Sequence, residues 1–324
     1  MRFGRIVWIS VAMTAVLCLA SLPAAAAEGS FQRTLPVNGP VNLDISTGSG
    51  SIEVRVGSGS QVEVTGHIKA GEWFDSNAEE KVKKLEQNPP IQQSGNDIRI
   101  GHIEDPELRH DVSISYEVTV PAPTELHTHS GSGNQTVEGI RGPANVESGS
   151  GGVKISAIGD NVHAEAGSGN IELRGVRGSA HARTGSGSIR AMDIAGGFEG
   201  ETGSGKILLE QSAPGSVRAE TGSGGLELRG LNGSLEAKAG SGDIRAEGHP
   251  TGAWSVRTGS GSVELKLPSD AAFDLNAHTS SGSISVDHPV TVQGSIERKE
   301  VRGKVRGGGV PVEVATGSGN IQIQ

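Results

Sequence analysis

Residues 162–191 read VHAEAGSGNIELRGVRGSAHARTGSGSIRA, and the two Gly-Ser-Gly triplets inside the stretch begin 18 residues apart, at Gly167 and Gly185. The triplet recurs from Gly131, Gly149, Gly203, Gly222, Gly240 and Gly259, at spacings of 18 or 19 residues. A unit this small cannot bury an apolar face by itself. It must stack on near-identical neighbours, so the period predicts a solenoid.

Aligned on the triplet, Val162, Ala180, Phe198, Val217, Leu235, Trp254 and Leu275 form one apolar column five residues upstream, and Ala164, Ala182, Ala219, Ala237, Val256 and Ala277 form another two residues on. Beyond the triplet the pattern resumes at Val153, Ile171, Ile189, Ile207, Leu226, Ile244 and Val263, and again at Ile155, Leu173, Leu209, Leu228 and Leu265. The positions between are mostly polar. Alternation with period two on both sides of a glycine turn predicts two short strands per unit, each with one face inward. The turn glycines are expected to use positive φ, which a sharp reversal favours. Gly142, Asp160, Gly178, Gly196, Pro214 and Gly233 mark the second turn of each unit.

The two inward sets lie nine residues apart, as in Val162 and Ile171. Each coil therefore divides into two similar halves, which predicts an all-β, two-sided parallel β-solenoid of about 18 residues per coil. A three-sided helix built on hexapeptides would repeat its aliphatic anchors every six residues. The crossover preference makes the coil right-handed. The outward residues Lys154, Glu172, Arg190, Leu208, Glu227, Arg245 and Glu264 alternate in sign where coils stack roughly 4.8 Å apart. Such pairs set register and contribute about 0.2–1 kcal/mol each, whereas each buried Ile or Leu contributes roughly 1.5–3 kcal/mol.

Arg2 and Arg5 precede an apolar run from Ile6 to Leu22, and Ala24 to Ala27 offer a small-residue cleavage site, so residues 1–27 read as a secretory signal peptide. The sole cysteine, Cys18, lies within it and follows Leu17, which disfavours a lipid-anchored cysteine. The mature chain then has no disulfide and no integral membrane span, and is expected in the periplasm, on the cell surface or outside the cell. Without Arg2 and Arg5, 26 of the 28 basic residues stand against 37 acidic ones, a net charge of −11, which argues against nucleic acid as a partner.

Residues 28–120 hold the first strands and the start of the solenoid, interrupted by an excursion over about 70–109. There Ser76 and Glu79 form a capping-box pattern ahead of Ala78, Val82 and Leu85, which predicts one short amphipathic helix. The regular solenoid is expected over 121–287. Residues 288–324 hold a second excursion and a last half-coil containing Val312, Val314, Ile321 and Ile323.

The candidate chemistry is sparse. A calcium roll needs an aspartate in each turn, and only Asp243 directly follows a triplet, so folding is expected to need no ion. No triplet extends to a dinucleotide or P-loop fingerprint. His127, Asn145, His163 and His181 share one outward column, with His129 on the same face, but Glu199, Arg218, Glu236 and Ser255 continue it, and it reads as an exposed polar face. Carboxylates are scattered among columns and exposed aromatics are few, which speaks against a solenoid hydrolase or lyase. No catalytic residue, cofactor site or metal site is assigned. Arg298, Lys299, Arg302, Lys304 and Arg306 form the one basic cluster, a candidate surface contact beside its simpler reading as a solvated cap.

Ser115-Tyr116-Glu117-Val118-Thr119-Val120-Pro121, the serial Thr-Gly-Ser-Gly turns, Thr279-Ser280-Ser281-Gly282, and Gly307-Gly308-Gly309 followed by Thr316-Gly317-Ser318-Gly319-Asn320-Ile321 resemble a bacterial family of exported β-strand-repeat domains of unknown function. That family is labelled as adhesins and is related to the toast-rack domains of envelope-stress systems. The resemblance implies a non-enzymatic, envelope-associated binding protein whose partner is an envelope or extracellular polymer or protein. Its alternatives are an envelope-stress sensor working with a membrane protein and, less favoured, a polysaccharide-active enzyme.

Overall fold

The structure is a computed structural model of the chain and describes residues 27–71, 77–109, 111–292 and 299–324. Its body is the expected two-sided β-solenoid. One parallel ladder stacks Thr124–Ser132, Ala144–Ser148, Val162–Ala166, Ala180–Thr184, Phe198–Ser204 and Val217–Ser223 in turn. The other stacks Gln135–Glu138, Val153–Ile158, Ile171–Val176, Ile189–Ile194 and Ile207–Gln211. From Leu226 the second turn straightens, and the strands Leu226–Ser241 and Ile244–Ser260 each serve both ladders. The inward columns meet between the ladders. Val162, Ile171, Ala182, Ile189, Phe198, Leu209 and Trp254 are all buried there.

The register places Lys154 beside Glu172, Glu172 beside Arg190, and Glu227 beside Arg245, as the charge alternation requires. Bond-forming pairs follow, including Arg245 Nε to Glu264 Oε2 at 3.1 Å.

The glycine turns meet the expectation of positive φ at some triplets and not at others. Gly224, Gly242, Gly261 and Gly319 take φ of 157°, 151°, 157° and 155°, whereas Gly185 and Gly187 have no positive φ. A second reason for glycine is shared by both kinds, because successive turns lie backbone on backbone: a Cβ on Gly187 would overlap the carbonyl oxygen of Gly169 one coil below. The threonine before many triplets is also explained. Thr184, Thr202, Thr221, Thr258 and Thr316 are buried, and each hydroxyl donates to a turn-glycine carbonyl of the neighbouring coil, as from Thr184 to Gly169 and Thr202 to Gly187, both 2.8 Å. Each such bond gives a turn carbonyl a partner in the neighbouring coil.

At the N-terminal end the first coil of the chain, Val41–Ser49 with Ile52–Val56, is not the outermost. It pairs with Thr124–Ser132 and Gln135–Glu138 on one side and with Asp97–Ile100 and Val112–Val120 on the other. Beyond these, Gln61–Ala70 and Ala27–Pro36 add antiparallel strands. Helix α1 (Ala78–Gln87) lies against them, burying Ala78, Val82 and Leu85, with the Ser30 amide donating to Glu86 Oε1 at 2.9 Å. Its N-cap is Asn77, without a side-chain capping bond, and Ser76 of the expected capping box lies outside the described residues. A second helix, the single turn α2 (Pro106–Arg109), accompanies the one expected, started by Pro106 and by Asp105 Oδ1 accepting from the Glu107 amide at 2.9 Å.

The C-terminal end departs further from sequence order. Val310–Ser318 is inserted between Ile244–Ser260 and Phe273–Ser281, and Ile321–Ile323 between Val263–Lys266 and Ile284–Val286. The segment expected as a last half-coil is thus a whole coil, one rung inside the end. The outer rung is closed by the strand Glu300–Val305, which runs antiparallel beside Phe273–Ser281, and by Val290–Val292, which runs antiparallel on the far side of Glu300–Val305. Val305 and Val310 both pair with Phe273 from opposite sides. Between them Arg306, Gly307 and Gly308 take φ of 49°, 90° and 88°, a left-handed run that carries the chain over the strand end and back into the stack.

Candidate functional site

An open trough of about 780 Å³ runs along the outer face of the first ladder, from Glu125 to Ser255. Its origin is a step between two columns. Pro143, Asn161, Ser179, Gly197, Ser216, Ser234 and Ala253, six residues upstream of the triplets, are short, whereas His127, His163, His181, Glu199, Arg218 and Glu236, in the column two residues on, are long. The trough crosses eight stacked strands, so at roughly 4.8 Å per strand it is about 34 Å long. The sequence carried this signal in a column of small residues that alternation alone reads as ordinary surface.

The rim divides chemically. Toward the C-terminal end it is closed by ion pairs: Arg218 meets Glu199, Glu220 and Glu236 at 3.7, 2.8 and 3.0 Å, and Lys238 bridges Glu220 and Glu236. The hydrogen bond from Lys238, followed by the nearby Arg218, holds the Glu236 carboxyl below the usual carboxylate range. Toward the N-terminal end the rim is imidazole and carboxylate. His127 meets Glu125 at 3.4 Å, His129 meets Glu147 at 3.4 Å, His163 meets Glu165 at 3.1 Å and His181 meets Glu199 at 3.3 Å. His127, Asn145, His163 and His181 are in register in one column, as expected.

The basic cluster is placed elsewhere, on the outer hairpin at the C-terminal end. Arg302 and Lys304 lie on the strand Glu300–Val305, with Lys299 just before it and Arg306 just after. All four are exposed, but three are engaged: Lys299 Nζ donates to the Ser280 carbonyl at 2.8 Å, Arg306 Nε to the Ser269 carbonyl at 2.7 Å, and Arg302 pairs with Glu300. Arg298 lies outside the described residues, as do residues 1–26 of the expected signal peptide. Among the described residues no helix is long and apolar enough to cross a membrane.

Residues 179–324 match the family described as Toastrack DUF4097, a domain of unknown function, in agreement with the resemblance of the turns. The match begins at Ser179 in the middle of the solenoid, yet the ladder passes from Val162 to Ala180 without a change of register. No curated protein matches the chain. Among solved structures it is similar to a putative adhesin from Bacteroides fragilis, at 12% identity over 91% of this chain and 97% of that one, with a TM-score of 0.38. It is also similar to a putative cell adhesion protein from Clostridium sporogenes (10% identity, 92% and 99% coverage, TM-score 0.21). A putative lipid binding protein from Parabacteroides distasonis gives 12% identity, 91% and 96% coverage, and a TM-score of 0.37.

Proposed function

We propose that this chain, whose residues 179–324 carry a Toastrack DUF4097 domain, is an exported, non-enzymatic binding protein of adhesin type that lays an extended envelope or extracellular polymer along the trough. The observation that carries this reading is the trough itself. It is long, open at the surface, floored by short side chains and rimmed by alternating charge, which suits a linear partner lying parallel to the solenoid axis better than a compact small molecule. The fold is held along that axis because each rung is tied to the next by backbone bonds and many also by a threonine hydroxyl. A row of contacts on such a scaffold is pre-organised, so little ordering cost opposes binding.

The test is binding of the purified protein to isolated cell envelopes. Ser216→Arg and Ser234→Arg each place a long side chain in the floor of the trough at an exposed position, so the melting temperature should stay near that of the parent while binding falls. Replacing Arg298, Lys299, Arg302, Lys304 and Arg306 with Gln tests the rival contact surface at the outer hairpin. Loss through the second set alone would move the contact to the basic cluster. Unchanged binding in both sets would overturn the proposal.

A further inference from the structure

We infer that the N-terminal half of the trough rim is a binding site for one divalent transition-metal ion of the zinc type, held by His163, His181 and Glu165. His163 and His181 project from adjacent parallel strands in the same register, and their rings are stacked with centroids 4.7 Å apart and planes 7° from parallel. Glu165 stands two residues along the strand from His163, on the same outward face. One ligand atom from each of the three lies within 4.8 Å of the other two. Two imidazole nitrogens bound tetrahedrally to one zinc ion at about 2.0–2.1 Å are roughly 3.4 Å apart, so a closure of up to about 1.4 Å, shared between two side chains, completes the site. The three side chains can make that movement, being 42%, 34% and 45% exposed.

The surroundings favour a cation at this place. Glu199 Oε2 lies 3.3 Å from His181 Nδ1 and can accept its proton, which leaves the Nε2 lone pair free to ligate, the carboxylate–imidazole arrangement that orients metal-bound histidines. His163 Nε2 and Glu165 Oε1 face each other at 3.1 Å, so the ion would take the place of the proton they share. Glu147 and Glu165 are direct neighbours across strands, a like-charge pair that is unfavourable without an intervening cation. Asn145, beside His163 in the column, has its Oδ1 buried and without a hydrogen-bond partner. The nearest permanent cation, Arg183, borders Glu165 but also has Glu201, at 3.6 Å, on its far side. Imidazole with carboxylate is a donor set suited to zinc, copper or nickel and poor for calcium. Calcium rolls use the turns, and this site uses a strand face instead. It does not depend on the trough binding a polymer.

The experiment is calorimetric titration of the untagged, chelator-treated protein with Zn²⁺, paired with visible absorption of the Co²⁺ form as a report on ligand type. One ion per chain is expected, with the Co²⁺ spectrum of a nitrogen–oxygen site. His163→Ala, His181→Ala and Glu165→Gln should each weaken binding about tenfold or more, and Glu199→Gln, which meets the Nδ1 side of His181 and, on its other oxygen, Arg218, roughly tenfold. His127→Ala, in the same column but two strands from His163, should leave affinity within about twofold of the parent. Melting curves without metal should coincide for all five variants and the parent, which separates loss of ligation from loss of fold. Absence of saturable one-ion binding, or an equal loss in His127→Ala, would overturn the assignment.

Discussion

Ile323 is the penultimate residue of the chain, yet it should be among the least tolerant of a charge. Chain termini ordinarily fray, and a stack that followed sequence order would put Ile323 on an open last rung. Here it lies between Leu265 and Val286, and it is 0% exposed. The amide of Asp287 donates to its carbonyl at 2.8 Å, and Gln324 exchanges bonds with Leu265 and Leu267 on the other side. Ile323→Asp removes roughly 1.5–3 kcal/mol of apolar burial and adds the cost of a carboxyl in a dry core, for a total of about 4–6 kcal/mol. At about 2–4 °C per kcal/mol, the melting temperature should fall by roughly 10 °C or more. Val286→Asp, mid-chain but half-buried on the outer rung, should cost less than half as much. Thermal melts of the two variants side by side decide the matter. If Val286→Asp proves the more damaging, the inserted coil is wrong and the strands stack in sequence order.

Thr202→Val keeps the shape of a buried side chain but removes the hydroxyl that donates to the Gly187 carbonyl, so it should cost about 1–3 kcal/mol, while Thr202→Ser should cost less; equal losses would mean the ladder bond is idle. Glu172→Lys reverses a pair 4.0 Å from Lys154 and sets three cations in a row with Arg190, but all are outward, so the loss should be about 1 kcal/mol or less and shrink in added salt. A loss as large as that of Ile323→Asp would show the outward and inward columns to be misassigned. Lys206, through its hydrogen bond, with Arg229 paired to the other carboxylate oxygen and Arg245 on the next strand, holds the Glu227 carboxyl below its ordinary range. Its contribution is therefore complete above the ordinary carboxylate pKa and is lost as the pH falls through the lowered value. Glu227→Gln should then differ from the parent in urea midpoint near neutral pH and converge with it in acid; a constant difference across that range would refute the linkage.

The parts of this fold that were readable in the sequence are those that every coil must repeat. Ile171, Ile189 and Ile207 recur because each fills the same space between two ladders, and Glu172 with Arg190 recurs because their strands are neighbours. The insertion of Val310–Ser318 was not readable. Val312 and Val314 satisfy the same column whether they sit outside Leu275 and Ala277 or inside them, and alternation carries no information about which rung is next to which. The glycines are legible as turns, but only part of the reason is: positive φ holds at Gly224, Gly242, Gly261 and Gly319 and not at Gly185 or Gly187, and the stacking that excludes Cβ at both kinds is not visible in one sequence. The threonine before the triplet is visible in the sequence as a recurring residue, and only the neighbouring carbonyl gives it a role.

Function is harder to read for a related physical reason. Inward columns answer to one constraint shared by all rungs, whereas an outward residue answers only to its two neighbours and to solvent, so a working surface shows itself as a local break in the outward pattern. The column from His127 to Ser255 contains such a break. From Glu199 onward acids are neutralised by Arg218 and Lys238, as solubility and register require. From Glu125 to Glu165 the partners become imidazoles, which are weaker devices for register because their charge depends on pH, and two glutamates stand side by side at Glu147 and Glu165. Packing does not ask for this exchange of Arg and Lys for His, since the side chains stay outward and the strands keep their register. The metal site inferred above would account for it, and on that inference the imidazole half of the rim, not the more strongly charged hairpin at the other end, is where substitution should first separate binding from stability.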